Sequence, residues 1–100
     1  MTFVVIARYR IKADCVSQVR AALGQMLEPT RAEPGCLAYD AYTDPEDTAV
    51  AVLVERYVSK AAFEDHLASE HFGRLVRGIV LPGLAERVRL DLVPLAEGAE

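Results

Sequence analysis

The stretch Val52–Phe72, VLVERYVSKAAFEDHLASEHF, changes its period at Ser59, and that change decides the fold. Before Ser59 the residues alternate as in a strand; after it, apolar residues return at helical spacing. Across Ala49–Val58 the alternation puts Val50, Val52, Val54 and Arg56 on one face. Ala51, Leu53, Glu55 and Tyr57 fall on the other, so an acid and a phenol share a face at the strand's end. Ser59 is a good helix N-cap, and Phe63 and Leu67 point to the core. His66, three residues after Phe63, lies at the border of the apolar face. His71 stands five residues further on, which is wrong for two metal ligands on one helical face. No metal site is expected. From Ser69 a further helix is predicted, with Phe72, Leu75, Val76 and Ile79 as its apolar stripe.

Working outward, Thr2–Lys12 reads as a strand with apolar residues on both faces at its start, which implies cover on two sides. Asp14 is the expected N-cap of a helix running to about Arg31 or Glu33, with Pro29 near its end and Pro34-Gly35 as its stop. Cys36–Thr43 is a second strand, with Leu37, Tyr39, Ala41 and Thr43 on one face. Asp44–Asp47 is an exposed turn, so the strands on either side form a hairpin. Leu81-Pro82-Gly83 ends the second helical region. Ala85–Leu95 is the last strand, with Val88, Leu90 and Leu92 facing one way and Arg87, Arg89 and Asp91 the other. Residues 1–95 form one domain, and Ala96–Glu100 is a short, loose acidic tail. The order β-α-β-β-α-β predicts an α+β, ferredoxin-like split βαβ fold with a four-stranded antiparallel sheet and helices on one face. Its bare face predicts a homodimer joined sheet to sheet, a dimeric α+β barrel.

Bulk properties exclude several functions. One hundred residues allow a single core, and 52% apolar composition is well above that of a disordered chain. A net charge of −4 and scattered arginines argue against nucleic acid as a partner. No apolar run reaches the length of a membrane span, and Phe3–Ala7 followed by Arg8 is no signal peptide, so a cytoplasmic protein with reduced Cys15 and Cys36 is expected. Cys15 in a first helical turn is open to activation by the helix dipole, although a small half-buried residue is the plainer reading.

The run Glu33-Pro34-Gly35-Cys36-Leu37-Ala38-Tyr39 resembles the lead-in to the second strand in the antibiotic biosynthesis monooxygenase superfamily. Glu55-Arg56-Tyr57, Ala62-Phe63, His66 and His71-Phe72 resemble that superfamily's quinol monooxygenase-like branch. Tyr57 stands where the usual aromatic is Trp, and strand one offers Ala7 and Arg8 where the haem-degrading branch has Asn. The resemblance implies oxygenation of a small aromatic substrate, phenolic or quinol, by O2 without metal, flavin or other cofactor. It implies a base, His66 or His71, with Glu55 orienting it or holding a substrate hydroxyl. Tyr57 and Tyr39 would position a hydroxyl, Phe63, Phe72 and Leu53 would wall the pocket, and Arg8 would bind an anionic group. Each has a plainer reading: Glu55 as an ion-pair partner, the histidines as packed or surface residues, the tyrosines as core aromatics, and Arg8 in an ion pair across the dimer. Two other functions stay open, a proton-transfer isomerase and a non-catalytic ligand-binding dimer.

Overall fold

Four antiparallel strands form one sheet in the order β2-β3-β1-β4 in the computed structural model, which describes residues 1–98. They are β1 (Phe3–Ile11), β2 (Cys36–Asp44), β3 (Asp47–Tyr57) and β4 (Leu84–Leu92). Helices α1 (Val16–Arg31) and α2 (Lys60–Leu67) and a π-helix, Phe72–Val80, cover one face of it. This is the α+β ferredoxin-like arrangement that the element order predicts.

Alternation along the strands builds the core. Val5, Ala7 and Ile11 of β1 and Ala51, Leu53 and Tyr57 of β3 are buried toward the helices. Val19, Ala22, Leu23 and Met26 of α1 close over the middle of the sheet with Leu75, Val76 and Val80 of the π-helix. A second cluster of Val5, Tyr57 and Phe63 joins α2 to the end of β3. Beside it the chain passes so close to α2 that a Cβ on Gly35 would run into the Ala62 side chain. The Gly35 carbonyl also accepts from the Val58 N–H at 2.9 Å, which ties the start of β2 to the end of β3.

Several local expectations are corrected. Cys15, not Asp14, occupies the N-cap of α1, and no side chain caps that helix. The Asp14 carboxylate instead lies 3.5 Å from the Cys15 thiol, and desolvation and that carboxylate push the thiol pKa up, opposite to activation by a helix end. Leu37 is 54% exposed although Tyr39 is buried, because the β2–β3 register shifts between Cys36 and Ala38 and breaks the alternation. Ile79 is exposed and Val80 takes its place in the core. The wider π winding explains the exchange: Phe72, Val76 and Val80 recur every four residues, more than the 3.6 of an α-helix. The last strand runs over Leu84–Leu92 and stops short of Leu95, which instead opens one helical turn, Leu95–Gly98, that runs into the acidic tail. Glu97 there accepts from the Thr2 N–H, and Ala99 and Glu100 lie outside the described residues. Among the described residues, no helix is long and apolar enough to cross a membrane.

Gly35→Ala is expected to destabilise the protein by about 1–3 kcal/mol, the usual cost of forcing a methyl group into a packed site. A urea titration measures this as a lower midpoint at unchanged slope. An unchanged midpoint would show that α2 does not hold the start of β2.

Candidate active site

Glu55 sits on β3, paired with Val5 of β1 and Tyr39 of β2, so its carboxyl lies in the middle of the sheet. The alternation that buries Leu53 and Tyr57 also turns Glu55 toward the helices, where it is 5% exposed. Tyr57, two residues on along the same face, donates its hydroxyl to Glu55 Oε1 at 2.6 Å. Ser59 then caps α2 by accepting from the Ala62 N–H at 3.1 Å, and two turns later the helix places His66 over this pair. His66 Nε2 lies 3.9 Å from Glu55 Oε1, too far for a hydrogen bond. Its Nδ1 lies 2.9 Å from Glu33 Oε2, and His71 Nε2 reaches that same oxygen at 2.6 Å. The rings of Tyr39, Tyr57, Phe63 and Phe72 surround the imidazole of His66 at 5.2–6.2 Å between centroids.

A cavity of about 40 Å³ lies on the β4 side of Glu55. Val5, Ala7, Phe63, Leu67, Phe72 and Val76 give it apolar walls, with Tyr9, Glu55, Arg87 and Arg89 as its polar groups. The arginines come from β4, where Arg87 pairs with Tyr9 and Arg89 with Ala7. The Arg89 guanidinium lies 5.3 Å over the Phe63 ring and 3.0 Å from Asp91, and Arg77 covers Phe72 at 5.0 Å. His66 is not in the wall. It stands behind Glu55, and Glu55 is the titratable carboxyl that meets the cavity.

Burial dominates the electrostatics. It pushes the Glu55 carboxyl up to about 7, although the Tyr57 hydrogen bond and the Arg89 charge both pull it down. It pushes the His66 imidazole down from its usual range, against the pull of Glu33. Burial first, then the Glu55 charge, holds Tyr57 and Tyr39 well above the usual phenol range, so each keeps its proton, and Tyr57 uses it to donate to Glu55. Tyr9 is raised to about 12 by the same two causes. A carboxyl near 7 in an apolar cavity exchanges protons at little cost close to neutrality.

The fold brings Glu55, His66, His71, Tyr57, Phe63 and Phe72 together. Tyr39 packs on His66 rather than on the cavity, and Leu53 belongs to the main core. Arg8 lies on the opposite face of the sheet, exposed, 3.9 Å from Glu86, so the sheet separates it from the cluster. Glu33, Tyr9, Arg87 and Arg89 are members of the site that sequence reasoning did not pick out. Glu33 meets the histidines across 33 and 38 residues of sequence, and no local period signals a contact of that range. For the arginines, alternation shows a shared face but not which face meets the helices. Glu33, His66 and His71 also bring one ligand atom each within 4.8 Å of one another, a set able to hold a metal ion, which spacing within one helix could not reveal. As it stands, hydrogen bonds to Glu33 occupy both histidine nitrogens of that set.

The profile of the antibiotic biosynthesis monooxygenase family matches residues 2–78. The chain is 46% identical to Rv0793 of Mycobacterium tuberculosis over 68 residues, 68% of this chain and 66% of that protein. A match to protein sll1783 of Synechocystis is 29% identical over 73 residues and spans 73% of this chain and half of that protein. The Rv0793 structure superposes with a TM-score of 0.87 at 38% identity, covering 95% of this chain and 96% of that one. PA3566 of Pseudomonas aeruginosa superposes with a TM-score of 0.86 at 30% identity over 94% of each chain. With its profile matched over most of its length and its fold shared, the chain belongs to the antibiotic biosynthesis monooxygenase family.

Proposed function

We propose that this chain oxygenates a small phenolic or quinol-type substrate with O2, and that Glu55 is the base that starts the reaction. The supporting observation is the cavity: a buried carboxyl raised to about 7, set among apolar walls and facing two guanidinium groups. Ground-state O2 reacts poorly with closed-shell molecules, but an electron-rich phenolate passes it one electron and the radical pair recombines into a C–O bond. The substrate supplies the electrons, so the reaction calls for no metal or flavin. The proton that Glu55 removed returns to the peroxide. Cleavage of the O–O bond, with loss of the hydrogen on the oxygenated carbon, leaves a carbonyl and water. This chemistry needs a dry pocket, a base and a positive charge to hold the phenolate. Phe63 and Phe72 supply the first, Glu55 the second, and Arg87 with Arg89 the third. His66 and His71, the first candidates for the base, become supports behind Glu55, and Tyr57 becomes the donor that aims it.

The cavity is narrower than the roughly 150 Å³ that a benzene ring fills. Entry of a substrate ring therefore calls for the exposed side chains of Arg87 and Arg89 to swing outward and then close back on the phenolate. A cytoplasmic setting, where Cys15 and Cys36 stay reduced, completes this reading.

The open sheet face supports a homodimer. Val4, Ile6, Val52, Val54, Val88, Leu90 and Leu92 share it, with Leu90 50% and Val88 52% exposed. A second copy laid sheet to sheet would cover this apolar area and close the barrel.

Because the base must be ionised, turnover is expected to rise with pH through about 7 and to be lost below it. Oxygen uptake with a panel of dihydroxynaphthalene-type quinols measures this. Glu55→Gln is expected to lower the rate at least about a hundredfold. Full activity in that variant would remove Glu55 from the chemistry, and product formed without O2 would replace oxygenation by proton-transfer isomerisation.

Light scattering is expected to give twice the chain mass for the wild type and the single mass for Leu90→Asp. A monomeric wild type would contradict the sheet-to-sheet dimer.

A further inference from the structure

His66 has no access to water, its side chain being 1% exposed, and its two nitrogens face two different carboxyl groups. The two gaps differ in kind: 2.9 Å from Nδ1 to Glu33 is a hydrogen bond, whereas 3.9 Å from Nε2 to Glu55 is not. An ionised carboxylate only accepts, so a bond to Glu33 in that form places the proton on Nδ1. In a neutral ring that leaves Nε2 with a bare lone pair facing Glu55. Glu33 is held in turn by His71, whose Nε2 lies 2.6 Å from the same oxygen. Ser69 fixes this corner: its hydroxyl donates to the His66 carbonyl at 2.7 Å and lies 3.2 Å from His71 Nε2. Glu33 opens on an outer groove beside Pro34, Ser59 and Asp65, while Glu55 opens on the inner cavity. The two carboxyls thus stand on either side of one buried imidazole.

We propose that Glu33 is a positioning residue that keeps the His66 proton on Nδ1, so that Glu55, His66 and Glu33 form a proton relay from the cavity to the outer groove. The relay rests on Glu55 being the base. Once the 3.9 Å gap closes to hydrogen-bond distance, Glu55 passes its carboxyl hydrogen to His66 Nε2, the hydrogen on Nδ1 passes to Glu33 Oε2, and Glu33 gives a proton to water in the groove. When the peroxide takes up its proton, the same path runs inward and restores the starting tautomer. No electrons move along the path, and no net proton is gained or lost. With substrate filling the cavity, His66 offers the Glu55 proton a path to the outer groove that Tyr57 does not, because Tyr57 holds its own proton too tightly to pass one on.

The test is the nitrogen NMR spectrum of the imidazole rings in labelled, substrate-free protein, taken where His66 is neutral. The wild type is expected to show a protonated Nδ1 and an unprotonated Nε2 for His66. Glu33→Ala is expected to lose the Nδ1–H signal and move the proton to Nε2, where Glu55 is then the carboxyl in reach; Glu33→Asp is expected to keep it on Nδ1. A wild-type ring protonated on Nε2, or an unchanged tautomer in Glu33→Ala, overturns the proposal. Should Glu33→Ala fail to fold, the wild-type spectrum alone decides. These spectra need no turnover, so an Nδ1–H ring in a protein that consumes no O2 would uphold the positioning and sink the oxygenase, while an Nε2–H ring in an active one would do the reverse.

Discussion

The buried carboxyl of Glu55 sets the electrostatics of the helix-covered side of the sheet. A charge placed among Val5, Phe63 and Phe72 without a partner would be expensive, and the protein meets that cost in two ways. The first is the Tyr57 hydroxyl, which is buried with Glu55 and donates to it. The second is the proton itself. Glu55 binds one up to about pH 7, whereas in the unfolded chain it would let go near 4.5. The sign follows from proton binding: the folded state holds this proton more tightly, so the contribution to stability is complete below about 4.5 and is lost as pH rises through about 7. The difference corresponds to roughly 3 kcal/mol, a sizeable part of the stability of a small domain. A chain selected for stability alone would place an apolar residue there.

The geometry around Glu55 follows from strand alternation working on both faces of the sheet. In β4 it sends Arg87, Arg89 and Asp91 toward the helix layer and Val88, Leu90 and Leu92 toward the open face. For an edge strand in a lone subunit this orientation looks inverted, because the apolar side is the uncovered one. It becomes economical once two needs are served together. The helix-side charges meet the cavity beside Phe63, and the apolar side is ready for a second sheet. The face that meets the cavity and the proposed dimer face are thus two sides of one alternating strand.

Most of the fold was legible in the sequence because it rests on local signals. The period change at Ser59, the cap it provides, the Pro34-Gly35 stop and the acidic turn between β2 and β3 each act within a few residues. Where local rules failed, a longer-range force had intervened. Packing of the π-helix on α1 selects Val80 over Ile79, and a shifted register turns Leu37 outward. The site was only partly legible for the same reason. Glu55, Tyr57 and His66 share one strand-to-helix unit, so their meeting is local. Glu33 arrives from the connection between α1 and β2 through a tertiary contact, and its place behind His66 has no signature in spacing. The order of the groups was also hidden. Histidine is the natural first choice for a base near neutrality, yet burial moves His66 down and Glu55 up, and only the cavity shows that the carboxyl stands in front.

Folding turns Glu55 from an ordinary surface-type acid into one poised near neutrality. The direct measurement is a carbon NMR titration of its side-chain carboxyl in the folded protein. A midpoint near 7 is predicted. A midpoint near 4.5, the ordinary value for a glutamate, would mean that the carboxyl is solvated or paired as an ion, and the account of the cavity would fail.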